Sequence, residues 1–127
     1  MRKLIVTAIS ASLIAIIPPV EAHHRPNSHC SPTGDICQST EKVRDVRKLR
    51  IWLAAKYFST FHLCVLDPDG YEICAPFRIR ERDSGNFGRN VKWHRNFPPG
   101  GPGPYRVSWW VGDDRVGRKL GFHVSRN

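Results

Sequence analysis

Hydrophobic and polar residues alternate in several short segments of the chain, and the clearest of these segments spans residues 49–56. There Leu49, Ile51, Leu53 and Ala55 alternate with Arg50, Trp52, Ala54 and Lys56. A period of two predicts a strand that buries one face and exposes the other. The same alternation recurs in residues 61–66, 72–79, 91–97, 105–111 and 119–124. The pattern therefore predicts six or seven short antiparallel strands separated by turns.

The turn Asp67-Pro68-Asp69-Gly70 sets the register of the strands on either side of it. Pro at the second position and Gly at the fourth are typical of a three-residue hairpin loop that closes on Asp67 and Tyr71. Counting outward from that pair places Cys64 opposite Cys74, at a non-hydrogen-bonded site where Cα atoms are about 4.5 Å apart. A disulfide between these cysteines is therefore predicted.

The same count divides the hairpin into an apolar face and a mixed face. The inward face carries Phe61, Leu63, Val65, Ile73, Ala75, Phe77 and Ile79, and the outward face carries His62, Cys64, Leu66, Glu72, Cys74, Pro76 and Arg78. We therefore expect the Cys64–Cys74 bridge to lie outside the core. Because Pro76 has no N–H to donate, its strand is predicted to lie at the edge of the sheet.

Residues 1–22 have the features of a secretory signal peptide. Arg2 and Lys3 precede an apolar run over residues 4–17, and Val20-Glu21-Ala22 has small residues at the positions that a signal peptidase reads before the expected cleavage point after Ala22. The alternative is a membrane helix, for which this run is short. Secretion, with the protein free outside the cell or associated with the cell wall, is therefore predicted, with a mature chain that begins at His23.

Four cysteines in an exported chain predict disulfides rather than a metal site. Three connectivities are possible, and we favour the two local pairs, Cys30 with Cys37 and Cys64 with Cys74. A zinc site is the alternative, but the chain contains no C-x-x-C spacing.

The remaining segments have weaker patterns. Residues 23–45 are predicted to be a flexible N-terminal arm that includes the Cys30–Cys37 loop, and residues 46–127 are predicted to be the single folded domain. Residues 41–46 fit either a short helix or an edge strand. Residues 80–90 are predicted to be a polar loop, and residues 91–97 a strand.

The run Gly101-Pro102-Gly103-Pro104-Tyr105-Arg106-Val107-Ser108-Trp109 resembles the tyrosine corner of immunoglobulin-like and fibronectin type III-like domains. Residues 49–124 as a whole look like the small secreted immunoglobulin-like domains of exported bacterial proteins. This resemblance implies an immunoglobulin-like antiparallel β-sandwich of about seven strands. It also implies that the Tyr105 hydroxyl bonds back to the loop before it.

The charge of the chain favours anionic partners. The whole chain has a formal charge of +9, and removal of residues 1–22 leaves 18 basic and 10 acidic residues. Such a protein is attracted to wall teichoic acids, phospholipid head groups, nucleic acid and acidic glycans. The alternative is that the charge only keeps a secreted protein soluble.

The resemblance implies that the 61–79 hairpin and the last two strands share one sheet. Its outward positions would gather His62, Arg78, Arg106, Ser108, Trp110, Lys119 and His123. Arginine beside tryptophan holds an anion while the ring stacks on a sugar or a base, so we predict a binding face here. The alternative is that Trp110 packs under the N-terminal arm or under long arginine side chains.

Catalysis by paired histidines is not expected. On the predicted strands His62 and His123 have one strand between them, about 9 to 10 Å apart, and His94 belongs to the other sheet. This separation is long for a paired acid and base. We therefore predict a non-enzymatic binding or surface module without a cofactor, whose partner is an anionic cell-surface polymer or another exported protein.

A copper-binding protein is the alternative function. A terminal amine and imidazole at His23 chelate Cu(II), and His24 and His29 would extend the cluster. Periplasmic copper carriers are similar in having an N-terminal His and a Tyr-x-Val-x-Trp strand, here residues 105–109. They carry a Thr-His-Pro run in the last hairpin, where this chain has Asp113-Asp114-Arg115-Val116. A disordered arm that contains histidines is the other interpretation.

Overall fold

The computed structural model describes residues 27–97 and 100–126, which form ten strands and one short helix. The elements are β1 (Ser28–Cys30), β2 (Ile36–Ser39), β3 (Lys42–Val43), β4 (Val46–Leu53), β5 (Thr60–Leu66), β6 (Glu72–Arg78), β7 (Arg80–Glu81), β8 (Phe87–Lys92), α1 (Trp93–Asn96), β9 (Gly103–Val111) and β10 (Asp114–Val124). Within these ranges no helix has the length and apolar character needed to cross a bilayer.

Two antiparallel sheets pack against each other. The first sheet has the order β1-β2-β4-β8-β7, with β3 paired to the start of β4, and the second has the order β10-β9-β5-β6. The described strands number ten rather than the predicted six or seven, because β1, β2, β3 and β7 lie in segments predicted to be an arm or a loop. The prediction of an all-β antiparallel sandwich is confirmed, as is the placement of the 61–79 hairpin beside the last two strands.

The predicted hairpin register is confirmed. Cys64 lies opposite Cys74 in a disulfide with 4.0 Å between the Cα atoms, and Cys30 is bonded to Cys37. The loop closes where the backbone N–H of Asp67 donates to the carbonyl of Tyr71 at 2.9 Å. Gly70 has a φ of 95°, the left-handed conformation that the turn requires. Strand β6 lies at the edge of the second sheet, as Pro76 predicted.

The inward faces of the two sheets form one core. Leu49, Leu53, Leu63, Val107, Trp109 and Leu120 are fully buried in it. Of the hairpin residues predicted to face inward, Ile73 is the exception, because 42% of its surface is exposed. Ile73 faces inward as predicted, but β6 is the edge strand, so the opposite sheet does not cover this side chain.

Side-chain hydrogen bonds join the sheets at the edge formed by β2 and β10. The Gln38 amide donates to the carbonyl of Val116 at 2.8 Å, and the Thr40 hydroxyl donates to the carbonyl of Gly121 at 2.7 Å. Both side chains are buried. Because the two strands belong to different sheets, these bonds satisfy polar groups that no backbone ladder reaches.

An arginine covers an aromatic ring at each open edge of the sandwich. The guanidinium of Arg47 lies 4.7 Å from the Phe122 ring centre, and that of Arg89 lies 5.3 Å from the Phe77 ring centre. Burial lowers the pKa of both arginines, and nearby Arg80 lowers that of Arg89 further. Both stay protonated, because an arginine does not lose its proton in a protein. These two cations are therefore part of the packing.

Tyr105 connects the buried aromatic cluster to the loop before β9. Its hydroxyl donates to the carbonyl of Gly101 at 2.7 Å and accepts from the N–H of Gly100 at 3.0 Å. Its ring centre is 5.0 Å from that of Trp93 and 5.0 Å from that of Phe122. The expected bond from the hydroxyl back to the preceding loop is present.

Strand pairing begins earlier in the chain than the sequence predicted. The segment expected to be an arm forms β1, β2 and β3, and Ile36 pairs with Leu53 of β4. Residues 41–46 form a tight hairpin in which Arg44 and Asp45 have positive φ angles. Strand β4 ends at Leu53, so Ala55 is exposed.

The predicted signal peptide, residues 1–22, lies outside the described residues. His23 and His24, the predicted copper ligands at the start of the mature chain, lie outside them as well.

The predicted polar loop over residues 80–90 is wrong, because β7 and the first part of β8 pair there around a turn closed by Arg82 and Asn86. Strand β7 is a two-residue edge strand without an apolar period, and in β8 Arg89 lies between the inward residues Phe87 and Val91, which hides the alternation. The predicted strand over 91–97 ends at Lys92. Helix α1 follows and contains His94, with Trp93 buried.

Gly117→Ala should destabilise the fold more than Gly112→Ala. Both glycines have positive φ, at 71° and 61°. A Cβ at Gly112 meets nothing within 4 Å, whereas one at Gly117 overlaps the buried amide oxygen of Gln38. We expect a loss of about 1 kcal/mol for Gly112→Ala from backbone strain, and about 3 kcal/mol for Gly117→Ala from strain and overpacking. Guanidinium denaturation with the disulfides intact measures both, and equal losses would contradict the proposed contact.

Tyr105→Phe should lower the free energy of unfolding by about 1 to 2 kcal/mol, because the Gly100 N–H and the Gly101 carbonyl lose their partner. Tyr71→Phe is the matched control, since Tyr71 is 72% exposed. The same denaturation experiment compares them, and a Tyr105→Phe variant as stable as the control would show that water replaces the hydroxyl.

Candidate functional site

The predicted binding residues lie on the outer face of the second sheet but do not form one cluster. His62 lies directly opposite Trp110 across β5 and β9, and Arg115 lies opposite Trp110 on β10. Trp110 is half-buried, and its indole N–H donates to the Ser108 hydroxyl at 2.8 Å. One end of this face therefore presents Trp110 between a histidine and an arginine.

Arg106 lies at the opposite end of the same face. It is four residues from Trp110 along β9, or about 13 Å, so one sugar or base does not contact both side chains. Arg106 and His123 line a cleft of about 410 Å³, together with Asp67. The Asp67 carboxylate makes this cleft less favourable for an anion.

Arg78 lies near the Trp110 end of this face, because it ends the edge strand β6 opposite Thr60, two residues along β5 from His62. Lys119 lies apart from both ends, in the irregular part of β10 between Val116 and Leu120. Both side chains are exposed.

The predicted 9 to 10 Å separation of His62 and His123 is wrong. One strand does separate them, but His62 lies opposite Trp110 and His123 opposite Pro104, six positions apart along β9. That offset alone corresponds to about 20 Å. The two imidazoles are therefore too far apart to act on one bond.

A larger cleft, of about 520 Å³, lies on the outer face of the first sheet. Strand β4 provides its centre, because the burial of Leu49, Ile51 and Leu53 turns Arg50 and Trp52 to the outside. The residues around them that line the cleft include Ser39, Arg82 and Asn90. The cleft therefore combines an aromatic ring with cations, an amide and a hydroxyl.

Short side chains flank Trp52 on both neighbouring strands. Gly88 lies opposite it on β8, and Cys37, held in the disulfide with Cys30, lies opposite it on β2. A Cβ at Gly88 would come within 2.5 Å of the carbonyl oxygen of Ile51. Close approach of the two strands therefore requires glycine at position 88, and the Arg82 side chain lies over it, with its Cδ 3.5 Å from the position a Cβ would take.

The outer face of the first sheet is strongly basic. Lys48, Arg50, Arg80 and Lys92 share this face by strand register, and Arg82 follows at the turn. The lining of the cleft, within the described residues, contains no carboxylate. Glu41 lies at its margin, 4.0 Å from the Arg50 guanidinium, and both side chains are substantially exposed. Such a pair is weak, so Arg50 remains available to an anionic ligand.

Acidic residues are concentrated in the connections between strands. The described strands carry twelve basic and three acidic residues, whereas the other described residues, including α1 and the segment after β10, carry five basic and seven acidic residues. Aspartates are favoured in turns because their side chains bond to nearby backbone N–H groups, as Asp67 does to Asp69 and Tyr71. The broad faces of the sandwich are therefore more basic than the whole chain.

The cleft on the first sheet was not predicted from the sequence. Arg50 and Trp52 were predicted to face outward, and that alternation was the available signal. Arg82 and Gly88 carried no signal, because their segment was assigned to a loop. The cleft is lined by residues of β1, β2, β4 and β8 and by Arg82 in the turn after β7, which the pairing of strands distant in the sequence brings together.

The described residues give little support for a metal site. Glu72 lies close to the sulfurs of Cys64 and Cys74, but these sulfurs are bonded to each other and provide no thiolate. His29 lies in β1 opposite Gln38. The proposed copper ligands His23 and His24 lie outside the described residues.

Comparisons of the chain with protein-family models, with curated proteins and with solved structures found no match. The resemblance to immunoglobulin-like domains therefore stays a prediction, and the function has to be inferred from the arrangement of these residues.

Proposed function

We propose that the protein is an exported, non-enzymatic module that binds anionic polymers on the outer face of its first sheet. The observation that carries the proposal is the cleft around Trp52, which has Arg50 and Arg82 in its lining and no carboxylate among its described lining residues. Lys48, Arg80 and Lys92 extend the positive charge along the same face. An extended polyanion that occupies the cleft can therefore also contact these three side chains.

Counterion release explains how such a face binds a polymer. A polyanion carries condensed cations, and each phosphate, sulfate or carboxylate that an arginine or lysine neutralises releases some of them. Binding should therefore weaken steeply as salt is added. Arg47 and Arg89 contribute less, because their guanidinium groups are held against Phe122 and Phe77.

Export is supported by two features of the chain. Residues 1–22 fit a signal peptide, and the two disulfides are stable in an oxidising compartment. The cell surface and its surroundings are rich in anionic polymers, which are the partners that we propose. An immunoglobulin-like sandwich suits this role, since its sheets present rigid faces.

Removing charge from the cleft should weaken polyanion binding more than removing equal charge from the opposite face. We expect Arg50→Gln/Arg82→Gln to elute from heparin at clearly lower salt than the wild type. Its slope of log affinity against log salt should fall by about 1.5 to 2, for two lost ionic contacts. The control is Arg106→Gln/Lys119→Gln on the second sheet, which should elute near the wild type.

Both double variants lose the same net charge, so the comparison separates a defined face from diffuse attraction. Equal shifts for the two variants would overturn the assignment to the first sheet. A larger shift for the Arg106 and Lys119 variant would instead place binding on the outer face of the second sheet.

A further inference from the structure

We propose that the Trp52 cleft is a subsite for one acidic sugar unit, a uronic acid residue, within a polysaccharide chain. This inference rests on the proposed polyanion binding and names the class of polymer. Its basis is that Trp52 and Arg50 lie two positions apart on the same face of β4, about 6.6 Å along the strand. A ring stacked on the indole can direct a carboxylate to that guanidinium.

The apolar surface around the Trp52 indole favours a sugar over a simple chain of phosphates. Trp52 and the Cys30–Cys37 bridge contribute apolar surface to the cleft. A pyranose has a C–H face that covers such surface, and an aromatic ring carries a negative face that attracts those hydrogens. A polyphosphate has no apolar face, so it would leave the indole uncovered.

Hydrogen-bonding groups beside Trp52 match the hydroxyls of a sugar. Ser39 on β2, Arg50 on β4 and Asn90 on β8 lie opposite one another and form a row across the sheet. This row is adjacent to the one that contains Trp52. The row therefore offers a hydroxyl, a guanidinium and an amide across three adjacent strands. The amide both donates and accepts, as a ring hydroxyl does.

The number of aromatic residues favours a sugar over single-stranded nucleic acid. Proteins that bind single strands stack successive bases on several aromatic side chains. The outward positions of the described strands of the first sheet carry one aromatic residue, Trp52. One stacked unit surrounded by cations suits a chain whose charge lies on its sugar rings.

Isothermal titration calorimetry with three probes tests the assignment, using hexagalacturonate, hexaphosphate and a thymidine hexanucleotide. We expect Trp52→Ala to weaken hexagalacturonate binding about tenfold, from the loss of one stacking contact, and to change hexaphosphate binding less than twofold. Trp52→Phe should recover most of the lost affinity. Trp110→Ala on the opposite sheet is the matched control and should change neither.

Trp52→Thr replaces the alanine variant if that variant does not fold, because threonine favours strands. Equal effects of the Trp52 variants on hexagalacturonate and hexaphosphate, or no effect on either, overturn the uronate subsite. So does a Trp52 dependence confined to the hexanucleotide. Hexaphosphate binding that depends on Arg50 and Arg82, without hexagalacturonate binding, overturns the inference and leaves the proposed function standing. Absence of salt-sensitive binding to all three probes overturns both.

Discussion

The alternation of side chains along β4 is the constraint on which the core and the cleft both depend. Leu49, Ile51 and Leu53 are between 0% and 2% exposed, and burying each side chain contributes about 1.5 to 3 kcal/mol. A shift of one residue would expose all three and bury Arg50. Because an unpaired buried charge costs much more than an exposed one, the hydrophobic core holds Arg50 and Trp52 together on the outer surface.

Closure of the sandwich uses polar side chains and two of the cations. Backbone ladders hold each sheet together, but bonds from Gln38 and Thr40 cross between the sheets at one edge. Arg47 extends this closure by donating to the carbonyl of His123 at 3.3 Å, and Arg89 donates to that of Arg78 at the other edge. The formal charge of the chain therefore overstates the positive charge that is free to bind ligands.

Local geometry explains which parts of the fold the sequence predicted. The turn after Asp67 sets the pairing of Cys64 with Cys74 through short-range bonds, so counting residues was sufficient. Strand β7 was missed because it is a two-residue edge strand, and β8 was only partly predicted because Arg89 interrupts the apolar residues at its inward positions, Phe87 and Val91. The cleft could not be assembled from the sequence. It needs Gly88 and Arg82 brought beside Trp52 by pairings among β4, β8 and β7.

The predicted site residues illustrate the same limit. Alternation placed His62, Arg106 and Trp110 on one outer face, and the structure agrees. Alternation does not give the offset along the sheet between groups on different strands, and that offset separates His62 from His123. Concavity also has no sequence pattern, since it arises where side chains from several strands meet, as they do around Trp52.

The indole N–H resonances of the protein in solution give the most direct test of where an anionic polymer binds. The chain has four tryptophans, of which Trp93 and Trp109 are buried and Trp52 and Trp110 lie on opposite faces of the sandwich. During titration with oligogalacturonate, we expect the Trp52 indole signal to shift progressively to saturation while the Trp110 signal stays in place. A shift of the Trp110 signal with the Trp52 signal unchanged would contradict binding at the Trp52 cleft.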